Sequence, residues 1–161
     1  MRNLRIAYSR GSGPLSWVIR YLTGSPVNHA LFLVEESGVE LVVGADWNGL
    51  VVQTRARWEA RGNVVLAVPP LARPLDDGIP ALLGMLDEPY DYGGLLGMPV
   101  VLLGRRLHRS WRNRLHSPRA LFCSEAAATL LRDVGYPGAE QLDPSVVDPG
   151  YLMRWQLGGQ S

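Results

Sequence analysis

The single cysteine of the chain has the sequence surroundings of a nucleophile. Cys123 lies in the run Leu-Phe-Cys-Ser-Glu, at the predicted start of a helix over residues 123–134. A thiolate there faces unpaired backbone N–H groups and the positive end of the helix dipole, and both lower the pKa of a thiol. The same N–H groups can stabilise an oxyanion during acyl transfer. The spacing of Cys123 to Ala127, Leu130 and Val134 equally fits an inert cysteine on the buried side of the helix.

One of the three histidines is suited to act as a base. His29 opens the predicted strand of residues 29–35, directly after Asn28. A histidine at the end of a strand can take a thiol proton as general base if the thiol lies opposite. His108 and His116 fall in an arginine-rich stretch, where a solvated position is expected. Because 94 residues separate His29 from Cys123, only the fold can bring the two together.

The composition is that of an ordinary globular protein. The chain has 161 residues, of which 47% are hydrophobic and 19% charged, with a net charge of +1. We therefore expect one domain over residues 1–161 and exclude a disordered chain. One cysteine and three scattered histidines predict no disulfide, no metal site and no cofactor. The chain begins without the apolar core of a signal peptide, and its longest apolar stretch, residues 92–104, is shorter than the about twenty residues that span a bilayer.

Apolar spacing divides the chain into a strand-rich first half and a helix-rich second half. The pattern predicts strands over residues 4–8, 29–35, 39–45, 49–54 and 63–68. The hairpin signals Ser37-Gly38 and Asn48-Gly49 separate the middle three strands. Helices are predicted from Pro14 to the stop at Gly24, after Asp76 and Asp77 as far as residue 86, and over residues 123–134. The sequence thus predicts an α+β fold whose first half is an antiparallel meander.

Several segments together resemble one family of cysteine hydrolases. The run SPVNHALFLVE (residues 25–35), followed much later by LFCSEAAATLLRDVG (residues 121–135), resembles the circularly permuted papain-like hydrolases, the YiiX-like relatives of the NlpC-type cell-wall peptidases. EPYDYGGLLG is similar to the tyrosine-aspartate segment of that family, and DPSVVDPGYL to its closing segment. The resemblance extends in order over nearly the whole chain. It implies a papain-like fold in which an antiparallel sheet carries His29 and packs against a helix carrying Cys123.

The resemblance assigns catalytic roles to individual residues. It implies that Cys123 is the nucleophile and that His29 takes its proton. The family usually supplies a third polar residue from the strand after the histidine, but Gly44 stands at that position here. We predict that Asp46 takes the role. Glu40 is the other nearby carboxylate, farther along the strand, and a backbone carbonyl or an ordered water can also serve.

The resemblance also implies a substrate and a setting. Tyr90 and Tyr92 are expected to line a substrate cleft, although aromatic residues beside a turn also serve packing. The expected substrate is an amide in peptidoglycan stem peptides, and relatives also act on lipid or other acyl groups. Compact proteins of this type occur among phage products, so phage structural proteins are expected partners. Since the sequence shows no signal peptide or membrane span, the expected location is cytoplasmic or virion-associated. The alternative, which Gly44 favours, is a weakly active or inactive module of the same fold, for instance a phage tail component.

A basic amphipathic pattern follows the tyrosines. Four apolar residues recur at every fourth position among the six arginines that run from Arg105 to Arg119: Leu103, Leu107, Trp111 and Leu115. Such a stretch suits an anionic glycan or phospholipid surface, or else its apolar stripe packs on the domain and its arginines are solvated. Nucleic acid is not an expected partner, because the net charge is near zero and no binding motif occurs.

Overall fold

An antiparallel sheet of five strands spans the first half of the chain. The computed structural model describes residues 3–46, 49–86, 103–104, 107 and 123–158, and of residues 15, 45, 46 and 49 it describes the backbone. The strands are β1 (Asn3–Arg10), β2 (His29–Glu36), β3 (Val39–Asp46), β4 (Gly49–Thr54) and β5 (Val64–Ala67). They lie in the order β4-β3-β2-β1-β5, and every neighbouring pair is antiparallel.

The predicted strands are present. A continuous meander would place β5 beside β4, but β5 lies at the other edge of the sheet. Strands β2, β3 and β4 form the expected meander, whereas β5 pairs with β1. The reason is a short helix, α2 (Arg55–Glu59), which follows β4 at once and turns the chain back over one face of the sheet. The free edge of β1 then accepts β5, through the pairs Tyr8↔Ala67, Ser9↔Val65 and Arg10↔Val64.

The turn between β2 and β3 sets the register of both strands. Ser37 and Gly38 have φ values of 52° and 79°, as the two central residues of a tight hairpin loop require. The ladder runs from Glu36↔Val39 and ends at Phe32↔Val43. The first residues of β2 therefore lie beyond its ladder with β3 and pair with β1 alone, as Ser9↔His29 and Tyr8↔Ala30.

Within the described ranges, four further helices accompany the sheet: α1 (Pro14–Thr23), α3 (Ile79–Met85), α4 (Cys123–Asp133) and α5 (Pro149–Gly158). A proline in its first turn starts α1, and Gly24 ends it with φ of 63°. After α4, Gly135 has φ of 61°. These stops confirm the ends that the sequence predicted for both helices. A 3₁₀ turn (Asp76–Gly78) precedes α3, and another (Ala139–Gln141) follows α4.

The two faces of the sheet carry two separate apolar clusters. On one face, Tyr8, Ala30 and Phe32 belong to the larger cluster, which also contains Leu130 and Leu131 of α4. On the other face, a smaller cluster collects alternate strand residues around an aromatic side chain of α2: Ala7, Leu31, Leu33, Val42 and Trp58. The alternation of side chains along β1 and β2 thus buries both faces.

The structure confirms the α+β class: the five strands lie in the first half of the chain together with α1 and α2, and α4 and α5 lie in the second half. Helix α4 packs against β2 across the larger cluster, so the element that begins with Cys123 lies on the strand that begins with His29. Within the described ranges, no helix combines the length and the apolar character needed to cross a membrane.

Candidate active site

Helix α4 places Cys123 at its first residue. The side chain is 7% exposed. Its sulfur accepts hydrogen bonds from two backbone N–H groups, that of Ser124 in the same turn and that of Ala30 in β2. Ala30 belongs to the part of β2 that lies beyond the ladder with β3. Its N–H is therefore not used by β3 and can bond the sulfur.

His29 lies beside Cys123, as the sequence predicted. The imidazole and the sulfur are joined by a hydrogen bond, although 94 residues separate them along the chain. Helix α4 packs on β2, and Ala30, the residue after His29, donates its N–H to the sulfur, so the start of α4 lies at the start of β2. Cys123 and His29 therefore form a thiol–imidazole pair, the arrangement that activates a cysteine as a nucleophile.

Opposing influences act on the Cys123 thiol. Burial raises its pKa, whereas the positive charge of His29, the hydrogen bond from that ring and the N–H groups of Ala30 and Ser124 all lower it. The net result is a pKa below the ordinary value of a cysteine. The site thus stabilises the thiolate form more than the surroundings of an ordinary cysteine do.

A backbone carbonyl holds one nitrogen of the His29 ring. Nδ1 lies 3.2 Å from the oxygen of Ala30. A carbonyl oxygen can only accept, so this contact requires a proton on Nδ1. An imidazolium carries a proton on both nitrogens and can donate to the carbonyl and to the thiolate at once. Of the groups predicted to orient the ring, a backbone carbonyl is therefore present.

The two candidate carboxylates differ in position. Glu40 pairs with Arg5 at 2.6 Å and with Arg55 at 2.7 Å, and it stands opposite Glu35, near the far end of β2 from His29. It is therefore not the partner of the imidazole. Asp46 ends β3, opposite Gly49 of β4, and its side chain lies outside what the structure describes. The ladder with β3 ends at Phe32↔Val43 and sets no partner for His29 on β3, so Asp46 stays the predicted third residue.

A tryptophan that the sequence reasoning missed lies against His29. The rings of Trp58 and His29 meet edge to face, with centroids 5.4 Å apart and an interplanar angle of 69°. Trp58 is the one large apolar side chain among the charged residues of α2. A single bulky apolar residue in a short charged segment is typical of a helix that buries one side, and this pattern was the available signal.

The residue before His29 anchors the start of β2. The Asn28 N–H donates to the oxygen of Ser9 at 3.1 Å. Its side-chain oxygen accepts from the N–H of Gly11 at 3.0 Å and from the hydroxyl of Ser16 at 2.8 Å. The segment between β1 and α1 is thus tied to the residue that precedes the imidazole. Asn28 and Ser16 were not singled out from the sequence.

The closing segment of the chain holds the start of α4. The Ser124 hydroxyl donates to the oxygen of Val147 at 2.7 Å, and both groups are buried. One residue later, an Asp148 oxygen accepts from the N–H of Tyr151 at 2.8 Å and so caps the first turn of α5. The residue next to the nucleophile is therefore fixed by residues just before α5.

The remaining predicted site residues lie outside the described ranges. These are Tyr90, Tyr92 and the arginines from Arg105 to Arg119. Of the apolar stripe among those arginines, Leu103 and Leu107 are described and both are exposed. The described part of the chain holds no group of three or more His, Cys, Asp or Glu side chains able to bind a metal ion.

Neither a scan of protein-family models nor a search of curated proteins finds a match for this chain. What the chain does is therefore inferred from the site itself.

Proposed function

We propose that the chain is a cysteine hydrolase of the circularly permuted papain-like type, which cleaves amides through an acyl-enzyme. The observation that carries the proposal is the hydrogen-bonded pair of Cys123 and His29, with the pKa of the thiol lowered at the start of α4. A buried cysteine with a structural role alone has its pKa raised by its apolar surroundings. A thiol stabilised as thiolate next to an imidazole is instead equipped for nucleophilic attack.

The order of the elements supports the permuted type. The histidine begins a strand early in the chain, and the cysteine begins a helix much later that packs on that strand. The residues that resemble the family lie on these elements, and the closing segment DPSVVDPGYL caps α5 and holds Ser124. Each of the matched segments that the structure describes thus has a part in shaping the site.

The proposed reaction has two steps. The Cys123 thiolate attacks the carbonyl carbon and forms a C–S bond, while the carbonyl oxygen takes the displaced electron pair. His29, as imidazolium, gives its proton to the leaving amine as the C–N bond breaks. Water then loses a proton to the neutral imidazole and attacks the thioester, so that the acid leaves and the ion pair returns. N–H groups in the first turn of α4 are available to stabilise the oxyanion.

The proposed substrate is an amide of peptidoglycan stem peptides. The family resemblance supports this choice, with Tyr90 and Tyr92 as proposed walls of the cleft and Asp46 as the proposed orienting carboxylate. Phage structural proteins are the proposed carriers of the hydrolase, and the stretch from Arg105 to Arg119 is a proposed contact with an anionic surface. A lipid acyl hydrolase or acyltransferase would use the same pair on an ester.

Two observations favour a second candidate. The Cys123 side chain is only 7% exposed, and position 44 carries no side chain to orient the imidazole. Both features suit a module of the same fold that binds without catalysis, such as a component of a phage tail. The reactivity of the sulfur separates the two candidates.

Alkylation of the single cysteine tests the proposal. Iodoacetamide should modify native wild-type protein at neutral pH faster than the same protein unfolded in urea, because a thiolate reacts and a thiol does not. His29→Ala should slow modification of the native protein below the unfolded rate, and Cys123→Ala, the blank, should take up no label. A native rate that stays below the unfolded rate and does not respond to His29→Ala would favour the non-catalytic module.

Digestion of cell-wall material tests the substrate. Purified peptidoglycan fragments incubated with the wild-type protein should yield products heavier by one water, with a new amine and a new carboxylate in the stem peptide by mass spectrometry. Cys123→Ala should yield none. Release of fatty acid from phospholipid vesicles, with peptidoglycan left intact, would assign the site to lipid esters instead.

A further inference from the structure

The indole of Trp58 lies in the space where a side chain of residue 44 would extend. A Cβ placed on Gly44 would lie 3.6 Å and 3.7 Å from two carbons of the six-membered ring of Trp58, and 3.6 Å from the Cβ of Leu31. These are ordinary van der Waals distances, so a methyl group fits and anything longer meets the indole. The glycine at position 44 and the tryptophan at position 58 therefore form one packing arrangement.

The same indole contacts the imidazole. Its centroid is 5.4 Å from that of His29, at 69°, within the range of favourable edge-to-face pairs. Trp58 is 4% exposed, so its ring also keeps water from that side of His29. An imidazole held against a fixed ring loses its freedom to rotate about χ2.

Helix α2 holds Trp58 in place. The Thr54 hydroxyl accepts from the N–H of Arg57 at 3.3 Å and caps the helix. Arg55 bonds Glu40 at 2.7 Å and Glu59 at 2.8 Å, which ties the helix to β3. The Asn63 amide donates to the oxygen of Trp58 itself at 3.1 Å. The backbone that carries the indole is thus fixed from both ends.

The N–H group of the Trp58 indole makes no hydrogen bond to the described residues. Its nitrogen, Nε1, is buried. An unpaired buried N–H is unfavourable, and a phenylalanine would avoid it. The contact with His29 and the space above Gly44 account for an aromatic ring at this position.

We propose that Trp58 is the positioning residue of the site: its ring, seated over Gly44, fixes the orientation of the His29 imidazole that faces Cys123. This inference rests on the proposed function. It concerns packing against the faces and edges of the ring, and it holds whichever group bonds the ring nitrogens.

The pH profile of Cys123 alkylation tests the inference with two matched variants. Trp58→Phe keeps an aromatic ring and should keep the wild-type midpoint. Trp58→Leu keeps apolar volume but no ring, and should move the midpoint toward that of His29→Ala and slow alkylation at neutral pH by about ten- to a hundredfold, as misplacement of a reacting group does. Trp17→Leu, a change at a 59% exposed tryptophan, is the control and should do neither.

The outcomes separate the two proposals. If His29→Ala changes the profile but Trp58→Leu leaves it at the wild-type midpoint, Trp58 is packing alone and the inference fails while the hydrolase proposal stands. If His29→Ala itself changes nothing, the proposed function fails. Should Trp58→Leu not fold, NMR of the wild-type protein decides: the His29 ring protons should show indole ring-current shifts and cross-peaks to Trp58, and their absence would overturn the inference.

Discussion

The Cys123 sulfur combines two properties that usually exclude each other, because it is buried and it is stabilised as an anion. Removing a charge from water costs several kcal/mol even in a relaxed protein interior. Hydrogen bonds to a charged group return about 1.5–3 kcal/mol each. The sulfur receives such bonds from Ala30, Ser124 and His29, and the imidazolium adds its charge. Three donors and one cation are enough to outweigh burial.

The pH dependence of Cys123 reactivity follows from the lowered pKa. The thiolate of native protein should persist as the pH falls below about 8.5, the usual pKa of a free cysteine, and should be lost only when the pH falls through the lowered value. The alkylation rate, corrected for the reagent, should thus have its midpoint on the acid side of the midpoint of unfolded protein. A midpoint at or above that of the unfolded chain would contradict the ion pair.

Substitution of Asp46 tests the predicted third residue. If its carboxylate stabilises the imidazolium, Asp46→Ala should slow acylation severely and leave the far-UV circular dichroism unchanged. The acylation rate of Asp46→Asn should lie between those of the wild type and Asp46→Ala, because a neutral acceptor bonds an imidazolium less strongly than a carboxylate does. Wild-type rates in both variants would show that the Ala30 carbonyl orients the ring without help from Asp46.

The family resemblance suggests that a polar side chain at position 44 would help the site, whereas the packing of Trp58 predicts that it would harm it. Gly44→Ala should be tolerated within about 1 kcal/mol, since its Cβ meets ordinary contacts. Gly44→Glu restores the expected polar group, yet it should lower the free energy of unfolding by about 1–3 kcal/mol, because the longer side chain must displace Trp58. It should also slow alkylation of Cys123. Urea unfolding of both variants measures the first effect, and a faster reaction in Gly44→Glu would contradict the packing described for Trp58.

Among the elements, α5 and the residues just before it contact the surroundings of both Cys123 and His29. The hydroxyl of Ser124, the neighbour of Cys123, donates a hydrogen bond to the carbonyl oxygen of Val147. The second residue of α5, Gly150, lies so close to Ser25 that a Cβ there would clash with the Cβ and Oγ of that serine. Ser25 is buried and stands four residues before His29. One short segment therefore holds the neighbourhoods of both reacting residues.

Two glycines of α5 form a matched pair for testing this role. Gly150→Ala should lower the free energy of unfolding by about 1–3 kcal/mol through the clash with Ser25, and it should slow alkylation of Cys123 by moving the approach to His29. Gly158→Ala, where a Cβ meets nothing within 4 Å, should leave both unchanged or gain up to about 1 kcal/mol. Thermal unfolding and alkylation rates of the two variants test this expectation. Equal stability and equal alkylation rates would show that the contact of α5 with Ser25 does not support the site.

What could be predicted from the sequence depended on local signals. Period-two apolar patterns and the Ser37-Gly38 turn predicted β2 and β3 to within a residue, and Gly24 and Gly135 predicted where α1 and α4 end. The position of β5 beside β1 depends on which edge is free after the other strands pair, and no local pattern encodes that choice. Residue type and position singled out Cys123 and His29, and the family resemblance gave them joint roles. Trp58 escaped notice because its contact with position 44 exists only in the folded chain.

At the scale of the whole molecule, the first strand and the last helix are joined directly. The buried Tyr8 hydroxyl of β1 donates to the side-chain oxygen of Gln156 in α5. Residues of β1, β2, α4 and α5 share the larger apolar cluster. We therefore expect the contacts that build the site to unfold together with the rest of the domain.

Cooperativity can be measured with the site as the probe. In increasing urea, the loss of the enhanced Cys123 reactivity should follow the same transition as the loss of strand and helix signal in circular dichroism, as in a two-state domain. Tyr8→Phe, which removes the bond to Gln156, should shift both curves together to lower urea. Loss of reactivity well before the circular dichroism changes would show that the site opens on its own.

The separation of His29 and Cys123 along the chain also bears on how the protein is made. His29 is synthesised long before Cys123, so the contacts that lower the pKa of the thiol can form only after Cys123 and Ser124 have been added. Before α4 docks on β2, we expect the nascent cysteine to behave as an ordinary thiol, mostly protonated at neutral pH. We therefore expect the enhanced reactivity of Cys123 to arise only as the chain folds.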